Sequence, residues 1–341
     1  MLFPARFRAS RPGHQTLFAG VLAIALCGCS APPADERAGG EPVSMRNCGQ
    51  DVVVEAPPQR AVSLNQSTTE IMLSLGLQDR MVGTATWTDP VAPHLAAANE
   101  QVPRLAENAP SFESVLATEP DIVLGAYQAV FTDSMVASRE RFEELGVPTY
   151  LSPGNCLPEE APLGVPTELA DIYREVQEIA TIFGVQDRGA ALVADMFARV
   201  AAAHARVADL PSRQEQSVLF WFARTEAPYV AGRTGSPGIM TRALGVRNAY
   251  DDVASMWPQV GWEDVLSRNP TLLVLGDLTR EQEGDSLQSK IDFLRTDPAV
   301  SQLDVVRGEN WIPMSGTALN TSMRTVDGIE ALADKLVAVE R

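Results

Sequence analysis

The reactive side chains of this sequence set its chemistry mainly by what they cannot build. Its three histidines, His14, His94 and His204, stand apart, and no His, Cys or acidic cluster has the spacing of a metal site. No glycine-flanked serine turn presents a nucleophile, no histidine pairs with an acid at a recognisable spacing, and no cofactor fingerprint occurs. Gly232-Arg-Thr-Gly-Ser-Pro-Gly238 is a glycine-rich turn into a helix whose N-terminus could hold an anion. It lacks the Gly-Lys-Ser/Thr ending of a nucleotide phosphate loop. The chain therefore reads as a binder rather than an enzyme, with no resident cofactor and no protein-ligated metal.

The four cysteines carry the remaining chemistry. Arg6, Arg8 and Arg11 form a basic start, Thr16 to Leu26 are nearly all apolar, and Leu26-Cys27-Gly28-Cys29 follows. The apolar run is short for a permanent span and suits a signal peptide, residues 1–28. The tetrapeptide resembles a bacterial lipoprotein signal, with Cys29 as lipid acceptor; Cys27 departs mildly at the small-residue position. An ordinary secretory cleavage nearby is the alternative. Residues 29–47, rich in Ala, Pro, Gly and charge, read as a flexible tether. Processing leaves Cys48 and Cys156 in a compartment that permits disulfides, so they are expected to pair, the alternative being two buried thiols.

The elements that must position any site follow from the apolar pattern. A 45% hydrophobic content suits a folded globular chain, and a formal net charge of −17 is unsuited to nucleic acid or an anionic membrane surface. Asp51–Val54, Ala61–Leu64 and the run from Met81 read as strands. Ser67-Thr-Thr-Glu70 reads as a capping box opening a helix that ends near Gly76. Helices are expected from Ser111 and over Asp133–Leu145, and strands over Asp121–Leu124 and Thr149–Leu151. Glu168–Phe183 and Asp187–Leu210 break the alternation as two helices, the second with apolar positions at Ala191, Val193, Met196, Phe197, Val200 and Ala203. Strands at Ser217–Phe222, Leu272–Leu275 and Trp311–Pro313, and helices at Pro237–Leu244, Trp262–Leu266 and Val326–Val339, complete the pattern. Phe112-Glu-Ser-Val-Leu-Ala-Thr-Glu-Pro-Asp-Ile-Val-Leu124 aligns without gaps with Trp262-Glu-Asp-Val-Leu-Ser-Arg-Asn-Pro-Thr-Leu-Leu-Val274. Ile71-Met72 before Leu75-Gly76 is echoed by Ile239-Met240 before Leu244-Gly245. These repeats predict two related α/β lobes, residues 48–165 and 212–341, joined by a helical linker, residues 166–211.

These segments carry a resemblance. Arg60 to Gly83, Phe112 to Leu124, Phe142-Glu-Glu-Leu-Gly-Val-Pro148 and Trp257-Pro-Gln-Val-Gly-Trp-Glu-Asp-Val-Leu266 are similar, in that order, to the iron-chelate and cobalamin class of periplasmic binding proteins. The resemblance implies one long, rigid interdomain helix, a role Asp187–Leu210 fits, with a ligand cleft between lobes. It implies an extracytoplasmic, lipid-anchored, monomeric component of an ABC importer that delivers its ligand to a permease dimer with its ATPase. The expected ligand is a ferric siderophore or similarly bulky chelate, with cobalamin, haem or a cofactor precursor as alternatives. A secreted two-lobe enzyme or structural lipoprotein is the competing class. Ligand contacts are expected from loops at strand ends: Asn65, Gln66, Trp87, Tyr127, Phe222, Arg224, Arg233 and Trp257. Trp257 could instead be core packing, and either arginine an ordinary surface residue. Glu113 and Glu263, at matching repeat positions, are expected to meet permease arginines; their plain reading is two first-turn acids favoured by a helix dipole.

Overall fold

A computed structural model describes residues 42–156, 166–279 and 282–340. The predicted signal peptide, Cys29 and most of the predicted tether lie outside them. The tether ends earlier than expected. Val43–Asn47 (β1) pairs antiparallel with Gln50–Val54 (β2), Asn47 facing Gln50. Cys48 and Gly49 both have positive φ, as a tight two-residue hairpin turn demands. The polar Ser44, Arg46 and Asn47 hid this strand from its apolar pattern. Asn47 is nevertheless buried, its side chain bonded to the Leu151 carbonyl and to the Leu151 N–H, both at 2.8 Å. The sulfurs of Cys48 and Cys156 lie within bonding distance, with Cα atoms 5.2 Å apart.

Short apolar strands seed two sheets. Ala61–Ser63 (β3), Met81–Ala85 (β4), Arg104–Ala106 (β5), Ile122–Gly125 (β6) and Thr149–Leu151 (β7) form a parallel sheet in the order β5-β4-β3-β6-β7. Its helices are Gln66–Ser74 (α1), Ala96–Asn99 (α2), Phe112–Leu116 (α3) and Arg139–Glu143 (α4). Then come Leu169–Ile182 (α5) and Gln186–Val207 (α6). The second sheet runs β10-β8-β11-β12, all parallel, from Ser217–Ala223 (β8), Arg247–Asn248 (β10), Leu272–Asp277 (β11) and Trp311–Ser315 (β12). Tyr229–Val230 (β9) pairs antiparallel with the end of β8. Its helices are Gly235–Leu244 (α7), Trp262–Arg268 (α8), Leu287–Thr296 (α9), Asp304–Arg307 (α10), Gly316–Leu319 (α11) and Thr325–Val339 (α12).

The two sheets share one topology. Leaving out edge strands β5 and β9, each places its second strand, then its first, third and fourth, side by side. The sequence repeat falls on matching elements, α3 and β6 in one lobe and α8 and β11 in the other. The largest apolar cluster runs through α1, α5, α6, α7 and α12, so the lobes share a core; each also keeps a smaller cluster of its own. At one end of α6 the Arg188 guanidinium donates to the Leu75 carbonyl at 3.0 Å. At the other, His204 Nδ1 lies 2.8 Å from the Ala243 carbonyl oxygen.

Three expectations about helices need correction. The helix expected over Asp133–Leu145 shrinks to α4, because Val136 and Ala137 turn into the core and Ser138 then caps the restart, accepting from the Arg141 N–H at 3.3 Å. The capping box at Ser67–Glu70 does not form. The helix starts at Gln66, with Asn65 as its N-cap, and Glu70 turns its carboxylate away from the helix start. On α6 only Gly189, Met196, Ala203 and Val207 are buried, and Phe197 is 65% exposed, so the apolar face is narrower than its sequence suggests.

Candidate functional site

In each sheet the chain reverses its direction of sheet growth beside the first strand, between β3 and β6 and between β8 and β11. Crevices at the carboxyl ends of such strands are the usual ligand positions in open α/β sheets. In the first lobe Asn65 closes this point. Its Oδ1 accepts from the Ala126 N–H, just past β6, at 2.7 Å. Gln66 Oε1 accepts from the N–H groups of Thr88 and Asp89, each at 3.0 Å. Both residues are almost fully buried. β3 is so short that the following helix begins beneath the loops after β4 and β6. The Asn65 head is therefore spent on backbone and the Gln66 head on backbone and on the Glu70 carboxylate, to which its amide donates at 3.0 Å, and both shape the crevice from behind.

Trp87 and Tyr127 stand further out, both partly exposed. The Trp87 indole donates to Thr84 Oγ1 at 3.3 Å, and the Arg104 guanidinium sits 4.4 Å from its ring. Arg104 is itself paired with Glu107 at 2.8 Å. Burial holds the Tyr127 phenol well above its usual range, and the Glu175 carboxyl acts in the same direction, so Tyr127 is a neutral hydroxyl. Glu175, on α5, is almost fully buried, and among the described residues it accepts one hydrogen bond, from the Ser152 hydroxyl. Burial pushes this carboxyl up to about 7, the Ser152 bond opposes the shift, and Glu178 adds to it.

The second lobe builds a clearer wall. Phe222, at the end of β8, stacks on Trp257 with ring centroids 4.5 Å apart and planes 28° from parallel. Trp257 is placed by a strand-like pairing of its loop with β9. The Val230 N–H donates to the Pro258 carbonyl at 3.0 Å, Val260 to Pro228 at 3.1 Å, and Gly232 to Met256 at 3.0 Å. Gly232 is obligatory there, because a Cβ would lie 2.0 Å from the Ser255 carbonyl oxygen. Arg224 follows β8 with φ of +60°, a left-handed conformation uncommon for a non-glycine residue. The Trp221 indole holds it by donating to the Arg224 carbonyl at 2.6 Å. The Arg224 guanidinium lies 5.6 Å from the Tyr229 ring and has no carboxylate partner among the described residues. Phe222, Ala223, Arg224, Tyr229, Trp257 and Gln282 enclose a cleft of about 260 Å³.

The structure thus brings Phe222, Arg224 and Trp257 together and adds Tyr229, which the sequence reading passed over because its strand is only two residues long. Arg233 is exposed and lies outside this cleft. The nearby start of α7 cannot serve as an anion site. Gly235 to Gly238 are buried, Met256 covers Gly235, and the Ser236 hydroxyl is committed to the Ala318 carbonyl at 2.5 Å. Glu113 and Glu263 lie in the first turns of α3 and α8. Both are exposed, and neither carboxylate has an ion pair or side-chain hydrogen bond among the described residues. Among the described residues no group of three or more His, Cys, Asp or Glu could hold a metal ion, and no helix is long and apolar enough to cross a membrane.

Two α/β lobes of one topology, sharing a core, the second carrying an aromatic cleft at its strand ends, define a binding protein of the two-lobe periplasmic type. The chain belongs to the periplasmic binding protein family, whose pattern matches residues 62–313. Members of this family are binding proteins of transporters and not enzymes. The chain is 24% identical, over 75% of its length and 77% of the relative, to the uncharacterized ABC transporter substrate-binding lipoprotein YvrC of Bacillus subtilis. It is 26% identical to the vitamin B12-binding protein of Vibrio campbellii, over 82% of this chain and 92% of that one. The solved structure of an ABC-type Fe3+-hydroxamate transport system from Saccharomonospora viridis superposes with a TM-score of 0.71 at 26% identity, over 87% of this chain and 99% of that one.

Proposed function

We propose that this chain is the substrate-binding component of an ABC importer that captures an intact organic chelate or macrocycle, in first place a ferric siderophore, and passes it to a permease dimer with its ATPase. Cobalamin, haem and a cofactor precursor are the alternatives within the same class. The observation that carries the reading is the wall formed by the Phe222–Trp257 stack beside the Arg224 guanidinium, which has no carboxylate partner among the described residues. A stacked aromatic pair offers a broad apolar face, and a free guanidinium suits a carboxylate, hydroxamate or catecholate edge. Trp87 and Tyr127 would meet the same ligand from the first lobe, with α6 as the rigid connection. Cys29 would carry the lipid, and the Cys48–Cys156 bond would fix the start of the folded chain to the end of the first lobe. Exposed Glu113 and Glu263 would engage the permease, one acid per lobe.

The test is intrinsic tryptophan fluorescence against ferrioxamine, cyanocobalamin, haemin, ferric chloride and zinc chloride. One of the first three should quench saturably and the two simple salts should not. Tight binding of unchelated iron or zinc, with no response to any chelate, would refute the reading. Native mass spectrometry of protein purified from its host would then identify the physiological ligand.

A further inference from the structure

The loop from Thr86 to Ala92 belongs to the first lobe by sequence, yet it is bonded to both. From its own lobe, Gln66 Oε1 accepts from the N–H groups of Thr88 and Asp89, and Glu70 Oε1 accepts from the Ala92 N–H at 3.2 Å. The Gln66 amide donates to the Pro90 carbonyl at 3.3 Å, and the Trp87 N–H to the Glu107 carbonyl at 2.9 Å. From the other lobe, Asp89 Oδ2 accepts from the Thr317 N–H at 2.5 Å and from its hydroxyl at 2.6 Å. The Thr279 hydroxyl donates to the Thr88 carbonyl at 2.8 Å. Arg324, at the start of α12, donates to the Pro90 carbonyl at 2.8 Å and grips Glu70 with two nitrogens, Nε at 2.8 Å and Nη2 at 2.5 Å. Gly316 lets the second lobe come this close, since a Cβ there would lie 2.6 Å from Leu278 and 3.1 Å from Thr88.

This network is buried. Asp89 is 7% exposed and Glu70 and Thr317 are each 3% exposed. Buried carboxylates cannot part from their donors without being left charged and unpaired in protein, a far larger cost than breaking water-facing contacts. The bonds also share partners, so they must break together: Glu70 serves both the loop and Arg324, and Pro90 accepts from both Gln66 and Arg324. The loop carries Trp87, which the proposed function sets against the ligand from the first lobe. We propose that Thr86–Ala92 is an inter-lobe strap, and that Glu70, Asp89, Thr317 and Arg324 are positioning residues. They fix the lobe-to-lobe angle and the seat of Trp87 without touching ligand. α6 supplies the connection and the strap supplies the angle.

The experiment needs no ligand, so its outcome is independent of whether the cleft binds a chelate. Spin labels introduced as unnatural amino acids at Met135 and Gln288, one exposed position per lobe, report the inter-lobe distance distribution of the full-length chain by pulsed electron resonance. The wild-type chain should give one narrow distribution. Asp89→Ala and Arg324→Met should at least double its width or add a longer-distance population. Thr317→Ser, which retains both donors, should leave it narrow. If those two variants do not fold, Thr317→Val and Arg324→Lys together, a milder loss of one hydroxyl and one fork, should broaden it in the same sense. A distribution unchanged by Asp89→Ala and Arg324→Met, or by the Thr317→Val and Arg324→Lys pair where those do not fold, or one already broad in the wild type, overturns the strap.

Discussion

Glu175 makes stability depend on pH in a direction opposite to that of most carboxylates. Its carboxyl titrates near 7 in the folded chain because burial disfavours the charged form, against 4.5 when unperturbed. Below about pH 4.5 it is protonated in both states. As pH rises from there towards 7 the unfolded chain releases the proton while the folded chain keeps it, so stability falls across this window and levels off above it. The size follows from the two titration points, about 3 kcal/mol at 1.4 kcal/mol per tenfold in proton affinity. Glu175→Gln retains the shape and an oxygen that can accept from the Ser152 hydroxyl, but it cannot ionise. Denaturant unfolding of both proteins from pH 4.5 to 8 should therefore give curves that nearly meet at the acid end. The variant should become the more stable by about 3 kcal/mol at the alkaline end. Glu178 is raised by burial as well, and it remains in both proteins, so the difference isolates Glu175. Glu140 and Asp252 have lowered values and act below the window, their stabilisation being lost as pH falls. A wild-type-minus-variant difference that is flat with pH would refute the assignment of a buried, neutral Glu175.

Other expectations are as direct. Peptide mapping under non-reducing conditions should recover Cys48 linked to Cys156. Replacing both by Ser should cost about 4–5 kcal/mol in the chain-entropy account, since their sequence separation is 108. Two free thiols in secreted protein would contradict it. Arg224→Gly should leave stability unchanged or raise it by about 1 kcal/mol, because glycine accepts the left-handed backbone freely. The same change should weaken ligand binding tenfold or more, and unaltered affinity would remove Arg224 from the site. Glu113→Ala with Glu263→Ala should cost no more than about 1 kcal/mol per site and leave ligand affinity intact. Cellular uptake should fall, and normal uptake by the double variant would end the docking reading.

The parts of this structure legible from sequence are those governed by local pattern. The apolar runs of β3, β6, β8 and β11 were visible because both faces of these strands are buried, and the helices expected from Ser111 and Trp262 begin within one residue of those positions, although α8 runs on to Arg268. The helix α9 escaped notice: its buried residues, Lys290 and Leu294, include a charged side chain that reads as surface. The two-residue strands β9 and β10 have no pattern of their own; β9 exists because β8 and the Trp257 loop flank it. The site divides in the same way. Phe222, Arg224 and Trp257 could be picked out as aromatic and basic residues in loops. What Asn65, Gln66 and Glu70 do could not, because their partners lie far along the chain, at Ala126, Thr88 and Arg324. Glu70 shows the trap most clearly. Its spacing from Ser67 suits a local cap, but a guanidinium from the other lobe offers a buried carboxylate two charge-assisted bonds, which a cap cannot match.

The two lobes also differ in how far they preserve their likeness, and under the proposed docking and ligand roles the difference would follow what each surface must meet. At α3 and α8 the match is residue for residue: Phe112 with Trp262, Glu113 with Glu263, Val115 with Val265, Pro120 with Pro270. In both, the first-turn acid is exposed and the valine is buried. A partner with twofold symmetry sets the same requirement on both lobes, so a duplicated acid is useful there. At the cleft the likeness is gone. After its first strand one lobe places a buried Asn65, its amide spent on Ala126, whereas the other places an exposed Arg224 in a left-handed backbone. A single ligand held between the lobes, as proposed, would have two different sides, and each wall would answer only its own. Under the proposed function, one duplication would serve both ends of the task, kept alike where the protein would meet a symmetric membrane partner and allowed to diverge where it would meet one asymmetric molecule.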